Sequence, residues 1–186
     1  MSATLPTPGA YTRTAVSLHW LIAGLIGVAL LMGWIMTNLG VTPLKLKMYN
    51  WHKWVGITVL ALAVVRVLWR LTHRPPALLP MPAWQRLAAH ALHLGLYALL
   101  LALPLSGWVY SNASGYPIVY LRLLPLPNLV DRDKALAGTW HAVHETLGWL
   151  LVAALLLHAL AALKHHFLDR DDTLRRMLRW RSPGAA

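Results

Sequence analysis

Cysteine is absent from the 186 residues. Its absence excludes disulfides, thiolate metal sites, iron–sulfur ligation and the C-x-x-C-H attachment of a c-type haem. Any haem must then be held by coordination and packing. Acidic residues number six against seventeen Lys and Arg, and Glu145 is the one that reaches even the edge of an apolar segment. A membrane-buried cation site built on carboxylates therefore lacks its ligands. Charged residues make up 12% of the chain and hydrophobic ones 58%. A soluble domain carries about 25% charge, so this balance belongs in a bilayer. Phenylalanine occurs once and tryptophan ten times. The indoles collect at the ends of apolar runs, with Trp34, Trp51, Trp54, Trp108 and Trp140 at one level and Trp20, Trp69 and Trp84 at the other. This is an interfacial belt, and none of these side chains needs a cofactor role. The net charge of +11 does not indicate nucleic acid, because the basic residues flank apolar spans and form no aromatic-interleaved stripe.

Four apolar segments, about residues 15–36, 51–71, 87–110 and 140–167, are long enough to cross about 30 Å of hydrocarbon. The first is too long for a signal peptide, lacks a small-residue cleavage site and carries Ser17, His19 and Trp20, so it is read as a retained span. Pro104 predicts a kink in the third. Eleven Lys and Arg fall on one side (Arg13, Arg66, Arg70, Arg74, Arg86, Lys164, Arg170, Arg175, Arg176, Arg179, Arg181) and six on the other. The excess places both termini in the cytoplasm. The expected fold is all-α, a single integral membrane four-helix bundle over residues 1–186. Residues 116–134 form an outer loop, expected to rest on the membrane through 118–124. Residues 171–181 read as a basic amphipathic helix on the inner lipid surface.

Four histidines stand inside or at the edge of these spans: His19, His52, His144 and His158. Such residues are costly in a bilayer and mark function. His19 follows Arg13 by six residues and His158 precedes Lys164 by six, so each lies roughly 9 Å from the inner anchor. His52 and His144 fall near the outer starts of their helices, which gives an inner pair, His19 with His158, and an outer pair, His52 with His144. His144 and His158 are fourteen residues apart, close to four turns, so they share a face roughly 21 Å apart. That is too far for one dinuclear metal centre and suits two haems with two axial imidazoles each. One turn beyond the four histidines stand Ala23, Gly56, Gly148 and Ala162, small enough to leave room for a flat macrocycle. Arg66 follows His52 by fourteen residues and has two readings, a partner for a haem propionate or a side chain snorkelling to the interface. His73 is expected in solvent, and His165 and His166 at the inner interface. His90 and His93 are interface residues or line a substrate site.

These residues resemble the bacterial cytochrome b561 family, related to the cytochrome b subunits of nickel–iron hydrogenases. The resemblance rests on Ser17-Leu18-His19-Trp20, on His52 with Gly56-Ile57, and on Val65-Arg66-Val67-Leu68-Trp69-Arg70-Leu71. It continues through His144-Glu145-Thr146-Leu147, His158, His165-His166-Phe167 and Asp171-Asp172-Thr173-Leu174-Arg175-Arg176-Met177-Leu178, and so covers essentially the whole chain. It implies two haem b groups ligated by the same four histidines, and electron transfer involving quinone. It also associates His165 with the inner quinone region, where a titratable imidazole would serve as proton donor. His141, one turn before His144, competes for the outer ligand position, and the resemblance favours His144.

A stand-alone chain of this length most resembles a superoxide oxidase that passes electrons to ubiquinone in the bacterial inner membrane. Lipid, ubiquinone and either superoxide or a redox protein at the periplasmic face are its expected partners. The basic outer residues Lys45, Lys47, Lys53, Arg122, Arg132 and Lys134 fit an anionic substrate, though ordinary loop solvation explains them too. The alternatives are a membrane-anchor cytochrome b subunit of a dehydrogenase or hydrogenase complex, and a haem-free histidine-bearing transporter or scaffold.

Overall fold

The computed structural model describes residues 11–178. Four long helices dominate it: α1 (Arg13–Asn38), α2 (Pro43–Thr72), α3 (Ala83–Ala113) and α4 (Lys134–Phe167). All four are long and apolar enough to cross a membrane. A short antiparallel hairpin, β1 (Val119–Tyr120) and β2 (Leu124–Pro125), lies between α3 and α4, and one turn of helix, α5 (Arg175–Leu178), follows α4.

The helices outrun the apolar runs because a helix need not stop where lipid stops. Thr42 caps α2, accepting from the Lys45 amide at 3.2 Å, and Pro43 fills the first position, where no amide partner is needed. The Asp133 carboxylate caps α4 by accepting from the amides of Ala135 and Leu136. As a result α2 begins eight residues, and α4 six residues, before the apolar stretches do. His52 and His144 are therefore not near helix starts. They lie nine and ten residues inside, more than two turns, and still at matching levels.

Packing follows chain order: α1 against α2, α2 against α3, α3 against α4. Among the described residues α4 packs mainly along α3 and comes far less close to α1 and α2. Ile22, Ile26, Val59, Ala63, Leu100 and Leu151 form the apolar core. Leu151 stands seven residues from His144 and seven from His158, so this core separates the two histidine levels.

The outer loop does not simply rest on lipid. Trp54 Nε1 donates to the Val119 carbonyl at 2.8 Å, Thr58 and Tyr120 share a hydroxyl–hydroxyl bond of 2.9 Å, and Trp108 Nε1 donates to the Pro127 carbonyl at 3.2 Å. Ile118 is 3% exposed and turned into the protein, whereas Leu121, Leu123 and Leu124 remain exposed. The inner tail differs in the same way. Trp20 Nε1 donates to the Met177 carbonyl at 2.8 Å, and Arg176 donates to the Ala77 carbonyl at 3.0 Å. The tail segment is thus docked on its own bundle, with helix only from Arg175 to Leu178; Arg179 and Arg181 lie outside the described residues. Three belt tryptophans thereby acquire a second task, holding loop and tail through their N–H groups.

Candidate functional site

The four membrane histidines meet in two pairs. His19 of α1 and His158 of α4 have ring centroids 6.1 Å apart, and His52 of α2 and His144 of α4 have theirs 6.2 Å apart. Both pairs stand across the gap between α4 and the helix opposite it. Two metal–imidazole bonds of about 2.0–2.1 Å, with a ring half-width at each end, place facing centroids about 6 Å apart. Both separations fit a ligated iron between the rings.

The outer pair has fixed tautomers. His52 Nδ1 lies 3.0 Å from the Ala29 carbonyl, and His144 Nδ1 lies 3.0 Å from the Leu103 carbonyl. A carbonyl only accepts, so each Nδ1 carries the proton and each Nε2 keeps a free lone pair, the arrangement of a metal-ligating histidine. Ser106, 1% exposed, donates to the same Leu103 carbonyl at 2.7 Å and lies 3.0 Å from His144 Nδ1. Gly107 completes the seat, since a Cβ there would lie 2.8 Å from His144 Cε1. Gly33 touches His52 more loosely, at 3.6 Å.

A cavity of about 670 Å³ holds His52 and His144, with Gly56 and Gly107 on its walls and Lys45, Tyr49, Asn50 and Lys53 among its polar groups. That volume lies within the range of about 300–1,000 Å³ typical of cofactor pockets. Side chains at Gly56 and Gly148 would meet nothing within 4 Å, so the small residues one turn beyond the outer histidines border open space. His141 turns away, its ring 5.1 Å from that of Tyr110.

The inner pair has a third imidazole beside it. His93 of α3 lies 5.4 Å from the His158 ring. Spacing along the chain leaves this residue ambiguous, because its neighbour comes from another helix. Arg66 does not snorkel: it donates from Nη1 to the Ala15 carbonyl at 2.8 Å and from Nε to the Tyr97 hydroxyl at 3.2 Å, turned inward among α1, α2 and α3.

His165 makes no contact with His158. It closes the end of α4, with Nδ1 2.7 Å from Asp171 Oδ2 and 3.1 Å from Asp169 Oδ2, and Lys164 pairs with Asp169 at 2.7 Å. Burial pushes the Asp171 carboxyl upward, but hydrogen bonds from Thr173 and His165 outweigh it and hold the group below the usual carboxylate range. His166 packs edge-on against Phe167, and His73 stacks on Trp69 at 3.7 Å.

Comparison with known proteins identifies the family. Residues 10–180 match the prokaryotic cytochrome b561 family. Cytochrome b561 homolog 2 of Escherichia coli K12 is 39% identical over 176 residues, covering 92% of this chain and 93% of that protein. Cytochrome b561 homolog 1 of the same organism is 32% identical over 175 residues, covering 90% and 96%. A probable superoxide oxidase, CybB, of Yersinia pestis is 31% identical over 174 residues, covering 90% and 95%. With four membrane-length helices and a family match over nearly its whole length, this chain belongs to the prokaryotic cytochrome b561 family, membrane electron-transfer proteins whose membership implies b-type haem.

Proposed function

We propose that the chain is a di-haem superoxide:ubiquinone oxidoreductase of the bacterial inner membrane. The observation that carries the reading is the pair of matched imidazole separations, 6.1 and 6.2 Å, at two levels of one bundle. His19 and His158 would hold one haem and His52 and His144 the other, with Arg66 facing the propionates of the inner group. Bound haem with two imidazole ligands supplies a one-electron carrier without an open coordination position, suited to electron exchange and not to dioxygen binding. The chemistry balances as two superoxide anions giving up one electron each, while ubiquinone takes both electrons and two protons.

The chain's own residues divide that work. Lys45 and Lys53, on the wall of the outer cavity, draw an anionic donor toward His52 and His144. The apolar core between the levels keeps water out of the centre of the bundle. His165 holds a proton at Nδ1 against Asp171 at the inner end and is the proposed proton donor to quinone. A His165→Ala protein that keeps both haems and full quinone reductase activity would sink that role.

An absorption spectrum of the purified protein comes first, where reducible b-type bands are expected. Stopped-flow mixing with superoxide, with and without a quinone analogue, should then show fast reduction followed by quinone-dependent reoxidation. Slow or absent reduction, or copurification of a stable dehydrogenase, supports instead a membrane-anchor subunit. The observation favouring that second reading is the hairpin tip, where Leu123 is 84% exposed at the outer end.

A further inference from the structure

A crevice at the inner end of the bundle, distinct from either histidine pair, gathers three arginines without a carboxylate. Arg66, Arg70 and Arg74 line it from α2 and the following loop, with Tyr97 of α3 opposite and Tyr11 and Thr12 at the start of α1. Arg66 and Arg70 stand one turn apart on α2, a like-charge spacing that disfavours the helix unless an anion lies between. Among the described residues the ion pairs (Lys164 with Asp169, His165 with Asp169 and Asp171, Arg175 with Asp172) lie at the far end of α4 and the tail. Among the described residues no acidic side chain reaches Arg70 or Arg74, and Arg70 instead lies 5.7 Å over the Tyr97 ring.

The space is about 50 Å³. A water needs about 10–15 Å³ by the same measure, so a phosphate group fits and a porphyrin does not. Arg70 and Arg74 are exposed and sit where α2 leaves the hydrocarbon, at the level of lipid headgroups.

We propose that this crevice is a binding site for the phosphate of an anionic phospholipid, with Arg70 and Arg74 as its cations. The site does not depend on what the histidines hold.

The test uses the full-length purified protein in micelles doped with phosphatidylglycerol, with phosphatidylcholine, or with neither, and separately with inorganic phosphate. Thermal unfolding and native mass spectrometry give the readouts. Phosphatidylglycerol should raise the unfolding midpoint and remain bound, phosphatidylcholine should do neither, and the double variant Arg70→Gln, Arg74→Gln should lose both effects. The conservative Arg70→Lys, Arg74→Lys protein should keep part of them. A midpoint in phosphatidylcholine equal to wild type shows that the glutamine variant is folded. A rise with inorganic phosphate alone keeps the anion site and assigns it a soluble source. Equal retention of phosphatidylglycerol by the glutamine variant overturns the proposal. Loss of haem absorbance in that variant overturns it as well, because the arginines would then serve propionates.

Discussion

A β-carbon on Gly107 would stand 2.8 Å from Cε1 and 3.1 Å from Nδ1 of His144. Real Cβ atoms do not come that close to a neighbour, so glycine at 107 is what permits the ring to lie where it does. In an exposed helix interior Gly→Ala gains roughly 0.5–1 kcal/mol. At position 107 the sign reverses. Gly107→Ala is expected to lower the unfolding midpoint and to lose about half of the b-type absorbance, while Gly33→Ala, with its 3.6 Å contact, keeps both cofactors. Haem-to-protein ratios of the two purified variants check the contrast.

Single ligand replacements should sort the imidazoles. His52→Ala and His19→Ala are each expected to leave one haem of two, with the survivor different in each. His141→Ala and His93→Ala should retain both, since the first ring faces Tyr110 and the second only flanks His158. Pyridine haemochrome counts and low-temperature spectra distinguish the cases. Loss of a haem in His93→Ala would mean that His93, not His19, partners His158.

Ser106 offers a finer test. Its hydroxyl donates to the Leu103 carbonyl and so competes with His144 Nδ1 for that acceptor. Ser106→Ala should strengthen the imidazole's own bond, make it a more electron-rich ligand and lower the outer haem's midpoint potential with no loss of haem. One hydrogen bond is worth about 0.5–1.5 kcal/mol, or about 20–60 mV for a one-electron couple. A spectroelectrochemical titration in which neither midpoint moves would remove Ser106 from the site.

Acid should release the tail. The Asp171 carboxyl is held below its ordinary value of 3.8, so its contribution to the docked tail is complete above that value and fades as pH falls through the lower, folded one. Amide protection factors across residues 171–178, with the intrinsic pH dependence of exchange divided out, should therefore stay flat from neutral pH down to about 4 and fall below it. Asp171→Asn should show the lowered protection at every pH.

The two histidine pairings were legible because counting residues from the basic anchors gives depth, and the fourteen residues from His144 to His158 put one ligand candidate at each level of a single helix face. The helix starts were less so. Hydropathy registers only the lipid-facing length, although Thr42-Pro43 and Asp133 carried the capping signals that place the true beginnings. Ser106 and Gly107 escaped, and His93 stayed ambiguous, because their surroundings come from α4 lying against α3, a tertiary fact with no local pattern. Gly107 alone left a trace, being a glycine inside a helix, where it costs stability unless something needs the space. The hairpin left none. Its turn places Leu121 and Arg122 at φ 51° and 63°, a left-handed conformation usually written with glycine or asparagine.

The sparse contact between α4 and the first two helices bears on how the protein is made. The packing divides the bundle into two helical hairpins, α1–α2 and α3–α4, joined mainly where α2 meets α3. With so little protein seam along that opening, a group held between the paired imidazoles, as proposed above, would be the fastener that closes the bundle. Newly inserted protein would then wait in a looser form, and quality-control proteases should remove it fastest in cells starved of haem.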